Sequence, residues 1–136
     1  MFRKVAMIKY TRAGCLVAIL VLLTTAASSE QFDRSVTALT KASFANLKVA
    51  YDCRHVLGIA RYHEAYIAVE NALRATGLPT DVAMAAAEDL AKEARASSLR
   101  MPDRGSQNCF TTFVHTKKDL DRRRATVTAP LSSQPK

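Results

Sequence analysis

A chain of 136 residues has room for one domain, and a composition of 49% hydrophobic residues with only four glycines and four prolines excludes a disordered chain and argues against a β-protein. The formal charge of +8 would point to an anionic partner only if it were gathered on the folded surface, yet Arg3, Lys4, Lys9 and Arg12 all fall within residues 1–27. Residues 28–136 carry sixteen basic against twelve acidic groups, a net +4, which is ordinary for a soluble domain and gives no reason to expect nucleic-acid binding.

Residues 1–27 follow the pattern of a secretory signal peptide: a basic start without an acid, the apolar run CLVAILVLL, then the small residues TTAASS. The pattern places cleavage after Ala27, with Ser28 or Ser29 as alternatives. An uncleaved anchor is disfavoured, because the apolar stretch from Ala13 to Ala27 falls short of the roughly 20 residues that span a bilayer. Lipidation at Cys15 is rejected, since Arg12 stands where an apolar residue is needed and the apolar run follows the cysteine. The expectation is a periplasmic or secreted protein, a Gram-negative periplasm being preferred, with no stable membrane anchor after cleavage.

Export decides how the cysteines are read. Cys15 leaves with the signal, and the pair Cys53 and Cys109 remains where disulfides persist, with one intramolecular connectivity open to it. A redox-active pair usually needs Cys-x-x-Cys, which is absent, so the bridge is expected to be structural.

From Glu30 to Tyr51 the positions Phe32, Val36, Leu39, Ser43, Leu47 and Tyr51 trace one helical stripe. A break near Asp52 is favoured, because aspartate is a good N-cap and the stripe changes phase there. The strongest helical pattern follows in residues 53–77, CRHVLGIARYHEAYIAVENALRATG, with Ile59, Tyr62, Tyr66, Val69 and Leu73 on one side. Gly77 suits a left-handed residue after the last turn, and Pro79 cannot continue the helix. Thr80 or Asp81 then caps an alanine-rich helix whose small face, Val82, Ala83, Ala86, Ala87, Leu90 and Ala94, admits close approach of the tyrosine-bearing helix in an antiparallel hairpin. Glu88 and Lys92 have ion-pair spacing. Residues 99–108 read as a loop, and Ser106 or Asn108 can cap a last helix over 109–124 with Phe110, Phe113, Val114 and Leu120 inward. The run Arg122, Arg123 and Arg124 would close that helix, where cations complement free carbonyls, leaving 125–136 as a disordered tail. The predicted fold is therefore all-α: a small bundle of about four helices in residues 28–124 with one disulfide, after an N-terminal signal peptide.

Recognised chemistries are missing. His63-Glu64 begins a zinc-protease motif, but Ile67 stands at the second ligand position. His55 and His63 are about 12 Å apart along a helix axis, too far to share a metal. Covalent haem needs Cys-x-x-Cys-His, which is absent, and a haem held by His115 with Met84 or Met101 has only residue type in its favour. No phosphate-binding glycine loop or Gly-x-Ser-x-Gly elbow occurs. No catalytic residue, metal ligand or cofactor is assigned, and an enzyme with an unfamiliar site could draw only on His55, His63 and Glu64. The candidates for an interaction surface are Tyr62, His63 and Tyr66, whose rings carry polar tips, and the basic Arg122, Arg123 and Arg124. Stripe spacing favours core packing for the tyrosines, and position favours a helix end for the arginines.

From Cys53 to about Leu120 the chain is similar in architecture, though not in motif, to the bacterial acid-stress chaperones of the periplasm. That resemblance implies a non-enzymatic protein that binds other envelope proteins, as chaperone, adaptor or inhibitor. The alternative is a carrier that holds a small molecule or cofactor between its helices.

Overall fold

The computed structural model describes residues 13–98 and 108–132, with side chains for 29–98 and 108–129. The basic start of the expected signal peptide, the 99–107 loop with Met101 and Ser106, and residues 133–136 lie outside the described residues. The chain divides into two compact units, Met1–Phe32 and Asp33–Lys136. Five helices and no strand occur among the described residues: α1 (Ala13–Asp52), α2 (Arg54–Leu57), α3 (Ile59–Arg74), α4 (Thr80–Ser98) and α5 (Cys109–Ser132). None of them is long and apolar enough to cross a membrane, among the described residues.

The long first helix follows from what the sequence omits. No glycine or proline stands between Cys15 and Leu57, so nothing in the backbone stops the helix early. At Cys53 the helix only falters: its N–H still reaches the Val49 carbonyl at 2.9 Å, and Leu57 N–H reaches the Cys53 carbonyl at 2.9 Å. The chain turns at Gly58, whose φ of 83° and ψ of 153° belong to a region that glycine alone occupies readily. The expected helix over 53–77 is thus split, and Asp52 is the last residue of α1 rather than an N-cap. Its carboxylate instead receives Lys48 Nζ at 2.9 Å. Ile59, expected inward, opens α3 on the exposed side, because the break at Gly58 sets the phase anew.

The part of α1 after Asp33 is the element on which the others pack. Tyr51 meets Tyr62 of α3 edge to face with centroids 5.4 Å apart. Lys48 Nζ lies 3.5 Å from Ser98 Oγ at the end of α4, and Asn46 Oδ1 lies 3.3 Å from Thr116 Oγ1 on α5. Disulfide-bonded Cys53 and Cys109 lie 5.5 Å apart at Cα. Stepping from Cys53 back to Asn46 is matched by stepping from Cys109 on to Thr116, seven residues each way, so α1 and α5 run antiparallel.

That pairing gives both helices a seam at alternating steps of three and four, the spacing of a coiled coil. On α1 it is Leu39, Ser43, Asn46 and Ala50, continued by Cys53 just past its end, all buried; on α5 it is Cys109, Phe113, Thr116, Leu120, Arg123 and Val127. The same register places Val127 opposite the start of the second unit's share of α1, and Val127 is fully buried. This explains why α5 continues to Ser132 where a disordered tail was expected after Arg124. The hydroxyls of Thr126 and Thr128 turn back onto the carbonyls of Arg122 and Arg124, which keeps their polar groups satisfied within the helix. Phe110 and Val114, expected inward, stand off the seam and are exposed at 67% and 46%.

The hairpin of α3 and α4 is as the sequence suggests. Gly77 takes φ 90°, its N–H bonds to the Arg74 carbonyl at 3.0 Å, and Tyr62 near the start of α3 meets Arg95 near the end of α4, so the helices are antiparallel. The buried positions of α4 are Ala83, Ala87, Ala91 and Ala94, a narrower face than expected; Val82 is exposed, and Ala86 and Leu90 are half-buried. Alanine at these sites allows close packing and tolerates no added bulk. Ala87→Leu is expected to lower stability by about 1–3 kcal/mol in urea denaturation. Ala85→Leu, on the exposed side of the same helix, should stay within about 0.5 kcal/mol of the parent.

Candidate functional site

Two arrangements gather polar and aromatic side chains. The first is a chain of contacts across α1, α2, α3 and α4. The Arg54 guanidinium lies 4.0 Å over the Tyr51 ring and donates to the Tyr51 carbonyl at 2.7 Å. Tyr51 packs on Tyr62, whose hydroxyl accepts from Arg95 Nη1 at 2.8 Å, and Arg95 Nη2 pairs with Glu88 at 3.1 Å. Tyr66 stands beside Glu88 and Glu70; burial, followed by those two negative charges and a hydrogen bond to Glu88, pushes its pKa above the ordinary tyrosine value. The hydrogen bond to the Tyr62 hydroxyl, opposed by burial and aided by Glu88, raises the Arg95 pKa further. A tyrosine held neutral and a guanidinium held cationic suit a structural clasp between the hairpin helices better than proton transfer near neutral pH.

The second is a groove of about 370 Å³ where α1, the end of α3 and α4 diverge. Val36, Leu73, Leu78, Ala86 and Leu90 supply its apolar wall, Thr40 and Thr76 lie among them, and Asp89 and Glu93 stand at its edge. Both threonine hydroxyls are already committed, Thr40 to the Val36 carbonyl at 3.0 Å and Thr76 to the Leu73 carbonyl at 2.7 Å. The wall therefore presents apolar surface with no unmet hydroxyl. The residues that form it, Val82 apart, include the outer half of the small face read from the sequence: Ala86 and Leu90 line an opening instead of entering the core.

The residues singled out from the sequence fall as follows. Cys53 and Cys109 are bridged and buried. Tyr62 is only 7% exposed and belongs to the core clasp, so it is withdrawn from the interaction surface. Tyr66 is half-buried beside it, and His63 is exposed next to the Tyr62 ring. Arg122, Arg123 and Arg124 lie in mid-helix rather than in the final turn. Arg122 and Arg123 both pair with Asp119. His115, Lys118, Asp119 and Arg122 line a shallow depression of about 260 Å³ along α5. Glu88 pairs with Arg95 and Lys92 with Asp89, in place of the expected Glu88–Lys92 pair. His55 is exposed, as is Met84, and no group of three His, Cys, Asp or Glu that could hold a metal occurs among the described residues. The groove was not anticipated as a site; the surplus width of the apolar stripe on α4 was its one signal in the sequence.

The chain matches no protein family, no curated protein and no solved structure. The architectural likeness to acid-stress chaperones is therefore carried by no match.

Because the folded-state pKa of Tyr66 is raised, its contribution to stability is fully present below the unfolded value of about 10 and is lost as pH rises through the higher folded value. Melting temperatures measured upward from about pH 9 should fall less steeply for Tyr66→Phe than for the parent chain above about pH 10.

Proposed function

We propose that this chain is exported behind a signal peptide of residues 1–27 and acts not as a catalyst but as a binding protein of the cell envelope, engaging another envelope protein as chaperone, adaptor or inhibitor. The observation that carries the reading is the groove between α1, the α3–α4 turn and α4, an apolar concavity whose stripe continues onto the exposed Leu78 and Val82. Large apolar side chains left beside a groove are the ordinary mark of a surface that another molecule covers. The buried bridge between Cys53 and Cys109 supports an oxidising compartment, because such bonds persist outside the cytosol.

A carrier of small molecules is the second reading, favoured by a groove volume of about 370 Å³, which falls in the range of ligand pockets. Its open side and its extension along α4 fit a protein surface better. A photo-crosslinking residue at Val82, and separately at Lys118 on α5 as a control, separates the two in whole envelopes. A discrete protein-sized adduct from Val82 and none from Lys118 is expected. An adduct of small-molecule mass would favour the carrier, and equal or absent adducts at both positions would overturn protein binding through this groove.

A further inference from the structure

Resting on the protein-binding reading, we propose that the groove receives a short basic amphipathic segment of the partner, with aliphatic side chains against Leu73, Ala86 and Leu90 and a lysine or arginine against Asp89 and Glu93. Three observations lead there. Val82, Ala86 and Leu90 recur every four residues, so the apolar strip extends about 12 Å along α4, a shape suited to a chain segment. The wall's hydroxyls are satisfied internally, so affinity must come from apolar contact and from the edge. The edge is acidic: Glu93 has no ion-pair partner among the described residues, and Asp89, 79% exposed, shares its charge only with Lys92 at 3.6 Å.

The sign of that edge is opposite to that of the molecule. Residues 28–136 carry a net +4, so a diffuse field would draw an anionic segment. Preference for a cationic one can arise only where carboxylates stand close to the bound side chains, as they do at positions 89 and 93. The partner is thereby defined by chemistry: aliphatic on one side, basic at its margin.

The test uses the full oxidised chain and two fluorescein-labelled helical peptides identical except that lysine in one is glutamate in the other. At low ionic strength the lysine peptide should bind about five- to tenfold tighter by anisotropy, the size expected of two exposed ion pairs, and the preference should shrink with added salt. The double variant Asp89→Lys, Glu93→Lys, at two exposed positions, should reverse the preference. Equal binding of both peptides, abolished by Leu90→Ser with helicity unchanged, would overturn the charge selection and leave a protein-binding groove. Binding of neither peptide would overturn the assignment of this occupant, while the Val82 crosslink judges the protein-binding reading by itself. A preference that survives the double lysine variant would place the cation elsewhere and overturn the proposal too.

Discussion

The bridge between Cys53 and Cys109 joins the end of α1 to the start of α5 across 56 residues of sequence, and both sulfurs lie in the interior. It is needed because the seam it closes is a weak one. Among the buried positions of α1 are Ser43 and Asn46, and the Ser43 hydroxyl and the Asn46 amide nitrogen have no hydrogen-bond partner among the described residues. A buried polar group left unmet costs about 1–3 kcal/mol. Thr116 stands opposite Asn46 and the half-buried Arg123 opposite Leu39, so the apolar contribution of α5 rests on Phe113, Leu120 and Val127. A covalent tie that removes loop entropy from the unfolded chain compensates for what such a seam lacks. The polar groups have a use of their own: with Cys53 bound to Cys109, the contact of Asn46 with Thr116 admits one antiparallel register, since a slip would strand both.

The hairpin of α3 and α4 is held differently, by close packing of small side chains. Four alanines on α4 let α3 approach, and the clasp from Tyr62 through Arg95 to Glu88 ties the two helices by their polar tips. A helix that meets its neighbour on so narrow a face keeps the rest of its apolar stripe uncovered. Val82, Ala86 and Leu90 are what is left over, and α1 passes near enough through Val36 and Thr40 to turn that remainder into a groove. The binding surface proposed for the protein is thus a by-product of the packing that stabilises it.

Local signals were readable where one residue type decides the geometry. Gly77 ends a helix with positive φ, the alanine run packs on the tyrosine helix, and the two late cysteines are bonded to each other. Reading failed where the outcome depends on a distant partner. Gly58 lies inside a pattern that periodicity alone treats as one helix, and only its dihedral angles reveal the turn. Residues 125–132 have no bulk or strong period by themselves; they are helical because Val127 completes a seven-residue repeat with Phe113 and Leu120 along α1. Phe110 and Val114 looked inward by type, yet the bridge at Cys109 fixes the rotation of α5 and carries both to the surface. For the site, Tyr62 lies in the core as its stripe spacing suggests while Tyr51 and Tyr66 are half-buried, and the groove needed three elements at once, so no single stretch could announce it.

If the bridge is what holds α5 along α1, hydrogen exchange of the full chain, oxidised and then reduced, measures it most directly, with urea denaturation of the same samples alongside. On reduction, amides of α5 should exchange first while those of α3 and α4 keep their protection, and the free energy of unfolding should fall by roughly 4 kcal/mol. Unchanged protection of α5 with an unchanged urea midpoint would show that the seam holds without the bridge and would contradict this description of the fold.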